Sequence, residues 1–146
     1  MTAPDFESET VCGVGRACTA AADGRRASRA LGQWCERFAL TEPEFQVLWC
    51  LRDVTRDGAS GGFDQTTLAR RLAYSTAQVS ATVEKLRARG WIAQQSAGGD
   101  RRRNWWHLSV EGRGIIAEML QASHELRWQA ENNAERNVAA PKREAA

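Results

Sequence analysis

The chain of 146 residues is poor in the features that would mark it as membranous, secreted, metal-binding or catalytic. No uninterrupted apolar run exceeds about half a dozen residues, far short of the ~20 needed to cross a bilayer, so no membrane association is expected. The first ten residues carry Asp5, Glu7 and Glu9 without a basic start or an apolar stretch, which argues against a secretory leader and for a cytoplasmic protein. The cysteines Cys12, Cys18, Cys35 and Cys50 lack the paired close spacing of zinc ligands, and in a reducing cell they are expected to be free thiols. His107 and His124 have no partner at ligand spacing and are read as surface residues. With no nucleophile elbow, phosphate loop or His/Glu metal motif, neither an enzyme nor a cofactor is expected.

What is present is an ordinary globular composition, 42% hydrophobic and 26% charged with a net charge of +2. The small total conceals a gradient. Residues 1–64 hold seven basic and ten acidic side chains, residues 65–113 nine and three, and residues 114–146 four and five. A basic middle between acidic flanks suggests an anionic partner that touches the middle alone.

Periodicity and capping signals supply the elements. Residues 1–15 hold few large apolar side chains and are expected to be loose. From Arg25, the residues Ala27, Ala30, Leu31, Trp34, Cys35 and Phe38 recur at helical steps. Thr41 reads as an N-cap with Glu44 closing a capping box, ahead of Phe45, Val47, Leu48, Leu51 and Val54 on one face. After a glycine-rich loop, Phe63 is a lone buried candidate, and Asp64 caps a short helix with Leu68 and Leu72 inward. Ser75, with Gln78 three residues on, opens a helix whose Val79, Val83 and Leu86 share a face and which stops at Gly90. Trp91 to Leu108 then reads as a hairpin with a glycine tip, Trp106 inward and Trp105 outward. Ser109 caps a last helix carrying Ile115, Ile116, Met119, Leu120, Leu126 and Ala130, and residues 137–146 are expected to be an unstructured tail.

Helix, capped helix, short link, capped helix and hairpin is the order of a winged helix-turn-helix. The expected fold class is mainly α with a small β-hairpin wing. Residue by residue, the segment from Leu40 and Thr41 through Asp64, Leu68, Ser75, Val79, Val83, Leu86, Gly90, Trp91, Ile92, Asp100, Arg101, Arg102, Leu108, Ser109 and Gly112 resembles the MarR family of transcription regulators. The most specific part is the Asp-x-Arg of Asp100 and Arg102, ten residues after Gly90 and six before Leu108. The chain departs from the family at Ala81 and Gln94, where polar or basic residues are frequent, and in having one clear helix after Ser109.

The polar side of the Ser75–Gly90 helix has the width and chemistry to enter a major groove. Ser75 and Thr76 open it; Gln78 suits adenine, Ser80 a base or phosphate, Ala77 and Ala81 thymine methyls, and Lys85 a backbone phosphate. Arg101, Arg102 and Arg103 crowd the wing, where an anion would relieve their repulsion. The resemblance implies that Asp100 braces one of them while Arg101 or Arg102 reaches the minor groove.

It also implies a homodimer on double-stranded, pseudo-palindromic DNA, most simply as a repressor. Residues 16–39 and 110–136 would flank the DNA-binding domain at 40–109 as dimerisation helices. A small aromatic effector would sit near Trp34, Phe38 and Trp49. A thiol sensor at Cys18, as in one branch of the family, is an alternative. A winged-helix protein-interaction module that has lost DNA binding is another.

Overall fold

The computed structural model describes residues 4–56, 62–96 and 104–126. The chain forms two compact units, one of Gly32–His124 and one of Met1–Leu31 with Glu125–Ala146. Its elements in order are α1 (Pro4–Glu36), α2 (Glu42–Arg56), α3 (Gln65–Leu72), α4 (Thr76–Ala88), β1 (Ile92–Ser96), β2 (Asn104–Leu108), α5 (Val110–Gln121) and a 3-10 turn over Ser123–Glu125.

In the Gly32–His124 unit, each helix start is fixed by a polar side chain that satisfies amide groups the helix leaves unpaired. At α2 the box is reciprocal: the buried Glu44 carboxylate accepts from the Thr41 amide (2.7 Å) and hydroxyl (2.9 Å), and Thr41 Oγ1 accepts from the Glu44 amide. Asp64 accepts from the Thr67 amide at 2.7 Å, Ser75 from Gln78 at 3.1 Å and Ser109 from Gly112 at 3.0 Å. Helix α3 is capped at Ala73, which adopts the left-handed conformation (φ 54°), so that the chain turns into α4 within three residues.

The core lies where α2 packs on α3, α4 and α5. Val47, Leu48 and Leu51 of α2, Leu68 of α3, Val79, Val83 and Leu86 of α4, and Ile116 and Met119 of α5 are buried together with Ile92, Trp106 and Leu108 of the hairpin. The hairpin is antiparallel, with Ile92 opposite Leu108 and Gln94 opposite Trp106.

Three expectations change. Residues 4–15, read as loose for want of large apolar side chains, continue α1 as helix, and Val11 and Val14 stay 71% and 59% exposed. The last helix stops at Gln121 with a cap at Ala122, short of the expected reach; residues 127–136, including Ala130, lie outside the described residues, as does the tail. Phe63 is no lone buried residue: it is half-buried and bridges Trp106 through both backbone hydrogen bonds (2.9 and 3.1 Å), adding an isolated one-residue bridge to β2.

Two glycines are dictated by close backbone approach. A Cβ on Gly62 would stand 1.5 Å from the Trp106 carbonyl oxygen, and one on Gly112 would stand 2.0 Å from that of Trp91. Gly112 thus lets the first turn of α5 lie against the start of the hairpin, where Ser109 also donates to the Gly90 carbonyl at 2.6 Å.

Candidate nucleic-acid interface

Helix α4 is divided lengthwise. Val79, Thr82, Val83 and Leu86 are buried, whereas Thr76, Ala77, Gln78, Ser80, Ala81, Glu84, Lys85 and Arg87 are exposed. The helical period therefore brings Thr76, Gln78, Ser80, Ala81 and Lys85 together on the open side of one rigid helix. Ser75 is exposed at its mouth, but its oxygen already serves as the cap. Thr82 was missed by apolar periodicity; its hydroxyl donates to the Gln78 carbonyl at 2.8 Å, which lets a polar residue face the core.

The charges on α4 are not equivalent. Arg87 donates to Glu84 at 2.9 Å, and that hydrogen bond with the facing carboxylate holds the guanidinium above its ordinary pKa. Among the described residues, no carboxylate stands within ion-pair distance of Lys85. Helix α3 adds exposed Arg70 and Arg71 in its last turn, with Arg71 stacked 4.4 Å over the Phe63 ring. Arg89 lies 4.7 Å over Trp91. None of these arginines was singled out from the sequence, although the charge excess of residues 65–113 signalled them collectively. Asp100, Arg101, Arg102 and Arg103 lie in the 97–103 connection between the hairpin strands, outside the described residues.

The proposed effector residues do come together. Trp34 meets Phe38 (5.6 Å) and Phe45 (5.3 Å) edge-on, Phe45 meets Trp49 (6.0 Å), and Arg52 lies 4.9 Å over the Trp49 ring. Phe45, read from the sequence only as a core residue, is the link between the two ends of this cluster. Trp34 is buried, and its indole donates to the Ala122 carbonyl at 3.4 Å, whereas Trp49 is 36% exposed. His107 corrects the surface reading: it is half-buried, and its Nδ1 is enclosed without a hydrogen-bond partner among the described residues. Its outward place in the strand alternation concealed this.

All four thiols are free. Cys18 and Cys12 are exposed on α1, and Cys35 and Cys50 are buried. Burial, with Glu42 and Glu44 nearby, pushes the Cys35 thiol up to about 12. Burial also raises Cys50, against the opposing pull of Arg71. No group of side chains suited to a metal occurs among the described residues, and no helix among them is long and apolar enough to cross a membrane.

Two capped helices joined at a tight link, the second presenting a polar face beside an antiparallel hairpin, define a winged helix-turn-helix protein. Residues 40–103 match the model of the MarR family. Among solved structures, the chain is similar to BpsR of Bordetella bronchiseptica, whose DNA binding is regulated by 6-hydroxynicotinic acid (26% identity, 86% of this chain and 92% of that one, TM-score 0.64). It is also similar to apo MarR of E. coli (18%, 85% and 91%, TM-score 0.65) and to a mutant of that protein complexed with operator DNA (18%, 88% and 91%, TM-score 0.63). Among curated protein sequences, no match was found.

Proposed function

We propose that this chain is a non-enzymatic, sequence-specific transcription regulator that binds a pseudo-palindromic DNA site as a homodimer, in its simplest form as a cytoplasmic repressor. The observation that carries the proposal is the exposed face of α4, where Thr76, Gln78, Ser80, Ala81 and Lys85 project from a helix whose opposite side is locked into the core. Such a face fits the major groove, and it combines one bidentate reader, Gln78, with one phosphate-binding cation, Lys85. Ser75 fixes the start of the helix, and its hydroxyl hydrogen remains able to meet a phosphate. By the family resemblance, Asp100 would brace one of Arg101, Arg102 and Arg103 while Arg101 or Arg102 reaches the minor groove.

An operator complex is known for the similar E. coli MarR, and BpsR is regulated by an aromatic acid. By analogy, a small aromatic acid is the effector class for this chain. The Trp34, Phe38, Phe45 and Trp49 cluster, with the Arg52 cation at its open end, has the chemistry to meet it.

A salt titration of binding to a selected duplex tests this reading. Gln78→Ala should cost about 1–3 kcal/mol and relax preference at one base position. Lys85→Ala should weaken binding to all sequences alike and lower the salt slope by about one. Replacing Arg101 and Arg102 together with Ala should also lower affinity and slope. Failure of the unmodified chain to bind any duplex at low salt would instead favour a protein-interaction module.

A further inference from the structure

The open side of α4 has a line of its own. Ala77, Ala81, Glu84 and Ala88 follow one another at steps of four, three and four, the spacing of one helical face, and all four are exposed. The line runs opposite the buried Val79, Val83 and Leu86, with Gln78 and Lys85 on one flank and Ser80 and Arg87 on the other. Three of its members end at a methyl group. Glu84 is thus the one long side chain on the crest of the helix, and 58% of it is exposed.

A bare carboxylate there would face the phosphates of any duplex lying on α4 and repel them. Glu84 is not bare. Arg87 sets two donors on one of its oxygens, with Nη2 at 2.9 Å and Nε at 3.3 Å from Oε2. An exposed pair of this kind contributes little to stability. Its effect is on the carboxylate, which is neutralised and oriented while its second oxygen stays open: Oε1 accepts no hydrogen bond among the described residues.

An oriented acceptor on a methyl-lined crest selects among the groups on the floor of a major groove. Two base amines donate there, N4 of cytosine and N6 of adenine, but adenine sets its N7 acceptor beside the amine, where a carboxylate is repelled. We propose that Glu84 reads a cytosine in the major groove, with Arg87 as the positioning residue that holds it. This rests on the DNA-binding function proposed for α4 and adds a second base to it. Glu84 lies six residues past Gln78. For a helix lying along the groove that is about 9 Å, or about two to three base pairs at about 3.4 Å per step.

Selection of duplexes from a random pool by the full chain, repeated with Glu84→Ala, Glu84→Gln and Arg87→Lys, tests the assignment. The parent should enrich a cytosine in each half-site, about two to three base pairs from the position that Gln78→Ala relaxes. Glu84→Ala should lose that preference, a discrimination of roughly tenfold, and keep every other position. Glu84→Gln should move it from cytosine to adenine, whose N6 and N7 suit an amide. Arg87→Lys keeps the charge without the planar fork and should weaken the preference at that position alone; an unchanged profile would overturn the role of Arg87. A parent profile with no cytosine at that spacing would overturn the inference and leave the DNA-binding function standing. So would a Glu84→Ala profile identical to the parent's with tighter binding to all sequences, since Glu84 would then only repel phosphates. Failure of the parent to enrich any duplex would overturn both.

Discussion

At the scale of single residues, burial separates the four cysteines into two kinds. Cys35 is buried in the last turn of α1, and its thiol stays protonated far into the alkaline range. Its ordinary value is 9.0 and its folded value about 12. A raised folded value means that the native state keeps a proton the unfolded chain has lost, so the stability this group contributes is complete below pH 9 and declines as pH rises towards 12. Thermal unfolding across that interval should show an alkaline decline that Cys35→Ala reduces. Under native conditions near neutral pH, alkylation followed by mass spectrometry should modify Cys12 and Cys18 readily and leave Cys35 and Cys50 intact. Rapid modification of all four would contradict the packing of α1 and α2 described above. The separation was legible only in part: all four cysteines read as free thiols, Cys35 had a place in a buried helical stripe, and nothing marked Cys50 as buried.

At the scale of elements, what could be read in advance were the places where polar side chains do local work. The Thr41–Glu44 box and the caps at Asp64, Ser75 and Ser109 are satisfied within four residues of chain, so short-range pattern suffices to locate them. The division of α4 into a buried and an open face was legible for the same reason, except at Thr82. Long-range effects were not. The bridge from Phe63 to Trp106 joins residues more than forty positions apart through backbone groups alone, and no side-chain pattern announces it. The N-terminal half of α1 has no apolar stripe of its own, so a periodicity argument finds nothing there even though the backbone is helical. The early end of α5 at Gln121 is likewise unmarked, since apolar residues continue beyond it.

The cap of α4 provides a measurable consequence. Ser75→Ala removes the acceptor for the Gln78 amide and should cost about 1 kcal/mol of unfolding free energy. It should also lower DNA affinity, because Gln78 is held by the turn that the cap closes. Ser75→Asp should restore stability as a competent cap while still weakening binding, since it sets a carboxylate beside the phosphates. Equal unfolding midpoints for Ser75→Ala and the parent would show that the cap contributes little.

At the scale of the whole molecule, the proposed function depends on symmetry. One α4 offers a sharp base reader, Gln78, among contacts that small residues and phosphates can satisfy on many sequences. Two copies related by a twofold axis double that information and tie it to the helical repeat of DNA, about 34 Å between successive major-groove sites on one side of the duplex. The charge distribution fits this division of labour. The basic segment 65–113 carries the winged helix, and the acidic segments flank it.

The central claim is that paired α4 helices read duplex DNA. Selecting bound duplexes from a random pool, at a salt concentration that suppresses nonspecific binding, tests it most directly. The account predicts enrichment of an inverted repeat with half-site centres about 10 base pairs apart, and collapse of that enrichment in Gln78→Ala. Recovery of unrelated sequences, or of a lone unrepeated half-site unaffected by Gln78→Ala, would contradict it.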